Sequence, residues 1–327
     1  MHTFDGWNEE QHVEGMRKPR HHRTRNNGQH RLTEQGVAVL LVLARYRYLR
    51  STHLGALLPH RSRDGLRRTL RRLFDHGYID KPKEQLRGYN SLYCADIYML
   101  DTKGERALSD RGLTPPQVTR LYRDKSDAPI KQFAHAMMIC DSLASIEAGV
   151  LNTDVEFIPW MKIVETAPVE KPLKFPISIK HDGMSYDGFL NPDGFFGLRY
   201  PDGKTAYFAL EAEHFNPIYP SNLRRASTLK KLLGYRDIVR NQVYKSQLGI
   251  GNLRVLVLAP NPTRSKHQAE LLETLVGSSH LFLFHPIPVQ EELYKAPPPF
   301  PELFDAPWMR AGLEPEQING HSLRARQ

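Results

Sequence analysis

Asn191-Pro192-Asp193-Gly194-Phe195-Phe196 and Ala206-Tyr207-Phe208-Ala209-Leu210-Glu211-Ala212-Glu213 read as two strands. Pro201-Asp202-Gly203-Lys204 between them is a turn signal, so the pair predicts a hairpin. One carboxylate stands on the first strand and two close the second. Glu211 and Glu213 are two apart, and a continuing strand points both to one face. A carboxylate cluster on one sheet face is costly unless a positive charge sits there, and a divalent metal or a lysine supplies one. The following helical stretch sets Arg224, Thr228, Lys231 and Tyr235 at spacings of 4, 3 and 4 on one face, while Lys230 points elsewhere.

Working outward, the 327-residue chain is long enough for two domains. Its net charge is +9, and residues 1–72 carry all of that excess, with 15 Lys and Arg against 6 Asp and Glu. This asymmetry favours a polyanionic partner at the N-terminal end, against the plainer reading of a solvated surface. The two cysteines, Cys94 and Cys140, have no CxxC partner, which argues against zinc and against a disulfide framework. The low cysteine usage predicts a cytoplasmic, reducing location. No apolar run approaches the ~18 residues of a membrane span, and the start lacks a signal-peptide pattern.

Residues 1–30, with His21, His22, Arg23 and Arg25, read as a disordered basic arm. Thr33 is an N-cap signal for a helix whose run Val37–Ala44 is apolar most of the way round, hence buried. Ser51 or Thr52 caps a short helix from His53 to Leu58. Ser62 caps a third from about Arg63 to Asp75, whose Leu66, Leu70, Leu73 and Phe74 form one face. A ribbon follows, its second strand spanning Tyr93 to Leu100. This order predicts a winged helix-turn-helix over residues 31–110 that binds double-stranded DNA. Arg61, Arg63, Arg67, Arg68, Arg71 and Arg72 are the candidate DNA contacts. The competing reading is a winged helix used for protein contact.

Residues 111–130, with Pro115-Pro116 and Pro129, read as a linker. Residues 131–286 read as a mixed-sheet α/β domain. Its order α–β–β–β–α–β–α–β comprises a helix from Lys131 to Ala148, a strand from Val155 to Val164, the two strands of the hairpin, a helix from about Ser221 to Tyr244, a strand at Leu253–Ala259, a helix at Gln268–Leu275 and a strand at Leu281–Phe284, with Ile177–Lys180 a candidate additional strand. Residues 287–327 read as a proline-rich tail, mobile or draped on the surface. The fold class is α/β, α+β overall.

The α–β–β–β–α–β core resembles the restriction-endonuclease-like PD-(D/E)xK superfamily. Pro192-Asp193 fits its PD element, and Glu211-Ala212-Glu213 stands where (D/E)-x-K is expected. The resemblance implies that the first two acids, Asp193 and Glu211, hold Mg²⁺, which carries the attacking water; Glu213 is a further candidate ligand, and oxygen ligands favour Mg²⁺ or Mn²⁺ over zinc. The lysine position is Glu213 here, and Lys231 on the next helix is the candidate substitute. Tyr235 is a candidate to order the phosphate or, less favoured, to attack it.

The order of winged helix, Phe133-Ala134-His135 helix, Pro192-Asp193-Gly194, Glu211-x-Glu213 and Lys231…Tyr235 resembles the replication–relaxation proteins of plasmids and integrative elements, over roughly residues 30–290. That family includes a class of conjugative relaxases built on a nuclease-like core. The resemblance implies origin binding and metal-dependent nicking in mobilisation or replication, with relaxosome or replication proteins as partners. The alternative is a non-catalytic DNA-binding replication accessory or transcriptional repressor with a degenerate nuclease-like core. A third reading, a chromosomal regulator with an effector domain, needs a ligand pocket. At single positions, Asp193 also reads as a turn residue, Glu211 and Glu213 as an exposed strand face, His214 as surface, and Asp182 and Asp187 as turns. His135 reads as a helix residue packed against the core.

Overall fold

Two side-chain caps start the N-terminal helices where the sequence predicts them. In the computed structural model, which describes residues 23–24, 31–58, 62–83, 85, 95–113, 130–213, 216–287 and 299–320, Thr33 accepts from Gly36 N at 3.1 Å and begins α1 (Glu34–Arg45). Ser62 accepts from Gly65 N at 3.0 Å and begins α3 (Arg63–Asp75). Between them lie β1 (Leu49–Arg50) and α2 (Ser51–Leu57). β2 (Ile79–Asp80) and β3 (Ile97–Leu100) complete a three-stranded antiparallel sheet in the order β1-β3-β2, and α4 (Thr102–Ser109) follows. β1 is absent from the sequence reading because two residues carry no alternation to detect. Leu66, Leu70, Leu73 and Phe74 are all buried, as their stripe predicts.

Within the basic arm, Arg23 and Thr24 are described, and both are bonded to this module. Arg23 lies 3.0 Å from Asp101 and 3.2 Å from Asp80, with its guanidinium 5.1 Å over the Phe74 ring. Thr24 N donates to Asp75. His21, His22 and Arg25 lie outside the described residues, as does most of the expected linker.

α5 (Ile130–Val150) is the helix on which the parts meet. One buried apolar cluster runs from Val39, Leu43 and Leu70 through Phe133, Met137 and Ile146 to Phe196, Phe208 and Trp308. Each such side chain contributes about 1.5–3 kcal/mol when fully buried, so the module and the sheet share one core. Polar contacts cross the same joint. Arg50 Nε lies 2.9 Å from Asp141 Oδ2, with both side chains at most 2 % exposed, and Arg45 and Tyr46 both donate to Glu147.

Among the described residues the central sheet has seven strands in the order β12-β11-β10-β9-β8-β7-β4. β4 (Glu156–Pro159) ends earlier than the predicted strand, because Pro159 has no N–H to continue a ladder and stands at the N-cap of α6 (Trp160–Glu165). β7 (Gly194–Arg199) and β8 (Thr205–Ala212) are the predicted hairpin, turning through Gly203 at φ +83°. β9 (Arg254–Ala259) runs parallel to β8 and to β10 (Phe282–Pro286). α9 (Pro262–Val276) connects β9 to β10.

Three expectations are corrected. Ile177–Lys180 belongs to a separate hairpin, β5 (Phe175–His181) and β6 (Met184–Leu190), which turns at Asp182-Gly183. Asp187 is therefore a strand residue, not a turn. The single helix expected over 221–244 is two: α7 (Thr228–Arg240), capped by Ser227, and α8 (Val243–Leu248), separated by Gln242 at φ +53°. Arg224 thus lies before the helix and is exposed. Lastly, the described part of the expected tail is built into the sheet. β11 (Trp308–Arg310) pairs antiparallel with β10, and β12 (Leu313–Glu316) forms the edge. Leu303, Phe304 and Trp308 are the apolar residues that seat it. Arg254 grips Glu316 with two bonds of 2.6 and 2.9 Å.

α5 covers one face of the sheet; α7, α9 and the β5–β6 hairpin cover the other. Gly234 on α7 allows the hairpin close, since a Cβ there would meet Leu190 Cδ1 at 2.7 Å.

Candidate functional site

The register of the β7–β8 hairpin pairs Gly194 with Leu210. Asp193, one residue before β7, is thereby brought beside the end of β8, and its Oδ2 accepts from Ala212 N at 3.0 Å. Glu211 pairs in register with Val257 of β9, and Glu213 N donates to Leu258 O at 2.8 Å. Both glutamates reach Lys231, as expected of residues on one strand face.

α7 begins at its Ser227 cap directly against this strand end, and its Thr228–Lys231–Tyr235 face lies over the carboxylates. Lys231 Nζ is 2.5 Å from Glu211 Oε2, 2.7 Å from Glu213 Oε1 and 3.2 Å from Asp193 Oδ2. Tyr235 donates its hydroxyl to Glu211 Oε1. Thr228 Oγ1 donates to Glu213 Oε2 at 3.2 Å, and Asn216 Nδ2 to Glu213 Oε1 at 3.3 Å. Lys230, one residue from Lys231, instead sits 3.7 Å over the Tyr186 ring.

The sequence reads His135 as a helix residue packed against the core. The structure puts its Nε2 3.5 Å from Asp193 Oδ2, with 28 % of the side chain exposed. Nothing local marks it, because the approach of α5 to the start of β7 is a long-range contact. Asn216 was missed for the same reason. Glu211 and Glu213 are 1 % exposed, and Asp193, Lys231 and His135 form the solvent side of the cluster.

Burial pushes the Glu211 carboxyl up to about 8, against the pull of Lys231 and with a further push from Asp193. Burial works to lower the Lys231 ammonium, but Glu211, Asp193 and Glu213 together hold it well above its ordinary value. Tyr235 is raised well above its own, first by burial and then by Glu211. Fully buried and protonated behind Glu211, Tyr235 is placed to orient that carboxylate rather than to attack a phosphate. His214 lies outside the described residues.

Oxygen donors of this kind suit Mg²⁺ or Mn²⁺. The geometry suits an ammonium. Mg²⁺ takes oxygen ligands at about 2.0–2.1 Å, whereas Lys231 Nζ occupies the point reached by all three acids. Among the described residues, no group of three or more Asp, Glu, His or Cys is placed to hold a metal ion. The residues as placed do not fit the metal.

A second feature lies on α3. Arg63, Arg67, Arg68 and Arg72 are exposed on it, Arg68 and Arg72 on the side away from its buried leucines. Arg71 is different: it pairs with Asp75 at 2.9 Å, donates to Thr24 Oγ1 at 3.1 Å and lies 5.8 Å over the Phe74 ring. Arg61 is outside the described residues. A groove of about 750 Å³ lies beside α3, lined among others by Thr52, Arg63, Arg67, Leu151 and Pro299, and no cluster residue lines it. No described helix is long and apolar enough to cross a membrane.

A family model described as replication-relaxation matches residues 40–253, a stretch that contains α3, His135 and every carboxylate and cation of the cluster. No curated protein and no solved structure matches the chain.

Proposed function

The chain belongs to the replication-relaxation family, and we propose from that premise a DNA-binding protein of a plasmid or mobile element that acts in replication initiation or mobilisation. The exposed arginines of α3 carry this reading. Three helices followed by a short antiparallel ribbon support a winged helix, in which α3 is the recognition helix. Its exposed guanidiniums match phosphate oxygens and guanine edges. The test is polarisation of a labelled duplex from a candidate origin. Substituting Arg63, Arg67, Arg68 and Arg72 together by Ala abolishes binding at physiological salt while leaving the thermal transition in place. Undiminished binding by that variant refutes the reading.

The core has a cluster closed by Lys231, and we read it as a scaffold of nuclease-like design that does not itself cut DNA. One observation favours a second reading, metal-dependent nicking: Asp193, Lys231 and His135 meet on the solvent side of the cluster. It requires Lys231 to leave its place. Supercoiled origin plasmid incubated with Mg²⁺ or Mn²⁺ decides between them. Nicking by the wild type that is lost in Asp193→Ala supports the second reading, and an equal background in both supports the scaffold.

A further inference from the structure

We infer that Lys231 is the resident cation of the Asp193–Glu211–Glu213 cluster. Its Nζ stands at the point that all three carboxylates reach, so the intact protein holds the cluster without metal and gains a divalent-cation site only when Lys231 is removed. The inference deepens the scaffold reading of the core and is independent of DNA binding.

Three elements converge to build the arrangement. The residue before β7 supplies Asp193, the end of β8 supplies Glu211 and Glu213, and the first turns of α7 supply the lysine. Its Nζ touches one oxygen of each acid, at 2.5, 2.7 and 3.2 Å. Most of the remaining hydrogen-bonding capacity is already engaged. Tyr235 holds Glu211 Oε1, Thr228 holds Glu213 Oε2, and the Ala212 N–H holds Asp193 Oδ2. Among the described residues, Glu211 Oε2 is a buried exception: it has no hydrogen bond and is met by Lys231 as an ion pair. Removing the lysine therefore leaves a buried oxygen with no hydrogen-bond partner among the described residues, facing two more carboxylates. That is an anionic, oxygen-lined gap, which a hard divalent cation fills and an apolar side chain does not.

The three separations centre on the roughly 2.7–2.9 Å of a charge-assisted N–H···O contact, with that to Glu211 shorter and that to Asp193 longer. A lysine supplies charge and three donors but no open coordination position for water. A cluster closed in this way keeps its shape and does not present a metal-bound nucleophile.

The experiment uses the full chain without DNA, so it leaves the DNA-binding reading untouched. Thermal unfolding and calorimetric titration are run in EDTA and in Mn²⁺ for the wild type, Lys231→Ala and Lys231→Arg. The wild type and Lys231→Arg unfold at the same temperature in both and take up no Mn²⁺. Lys231→Ala unfolds earlier in EDTA and recovers by roughly 5 °C at Mn²⁺ in hundredfold excess over its dissociation constant. A wild type that Mn²⁺ stabilises, with the effect lost in Asp193→Asn, overturns the inference, as does a folded Lys231→Ala that ignores Mn²⁺. Should Lys231→Ala fail to fold, the wild-type and Lys231→Arg arms decide alone.

Discussion

The ammonium of Lys231 lies 2.5 Å from Oε2 of Glu211, a carboxylate whose side chain is 1 % exposed. The partners come from α7 and the end of β8, so the pair fastens helix to sheet as well as charge to charge. Removing one member of a buried pair costs about 3–5 kcal/mol, since the other charge is left uncompensated, whereas replacing both by apolar or neutral groups costs far less. Lys231→Met is expected to lose about that amount in metal-free denaturant unfolding. Adding Glu211→Gln to it restores part of the loss, and simple additivity of the two single changes contradicts the coupling.

This half of the site was legible in the sequence. Spacing of two put Glu211 and Glu213 on one strand face, and spacings of 3 and 4 put Thr228, Lys231 and Tyr235 on one helix face. Both are local periodicities that the backbone geometry fixes. Whether α7 meets the end of β8 with a gap or with a lysine in it is a tertiary matter that periodicity does not carry. His135 was missed for that reason. The β11–β12 edge was hidden by the prolines before it, and Trp308 was the one residue whose burial could have flagged it.

A second buried pair, Arg50–Asp141, joins the N-terminal module to α5 at 2.9 Å. Asp141→Ala is expected to destabilise by about 3–5 kcal/mol. Because the module and the sheet share one apolar core, the protein should unfold in one transition seen alike by tryptophan fluorescence and by far-ultraviolet circular dichroism. Two separated transitions in the wild type contradict the shared core.

The edge strand predicts a pH dependence. Burial alone raises the Glu316 carboxyl, but the bonds and charge of Arg254 and the charge of Arg310 outweigh it and hold it below the ordinary 4.5. A depressed carboxylate contributes stability above its unfolded value and loses it as pH falls through the folded one. Glu316→Gln should therefore lower the melting temperature at neutral pH, by an amount equivalent to about 1.5–3 kcal/mol. The difference should shrink as pH drops below about 4.5. A gap that persists unchanged into acid shows that the ion pairs are not its source.

On α3 the arginines divide by environment. Each of Arg63, Arg67, Arg68 and Arg72 that meets a phosphate should, on substitution by Ala, reduce the slope of log affinity against log salt by about 0.9. Arg71→Ala should leave the slope alone and cost about 1 kcal/mol of stability, because its guanidinium is occupied by Asp75 and Phe74. The reverse pattern, with Arg71 setting the slope, contradicts the assignment of that face.

The most direct measurement is anomalous diffraction from crystals of the wild-type protein equilibrated with Mn²⁺. The account predicts no anomalous peak between Asp193, Glu211 and Glu213, and Lys231 Nζ in contact with all three. A peak at that point, with Lys231 swung away, contradicts it and makes the cluster a metal centre.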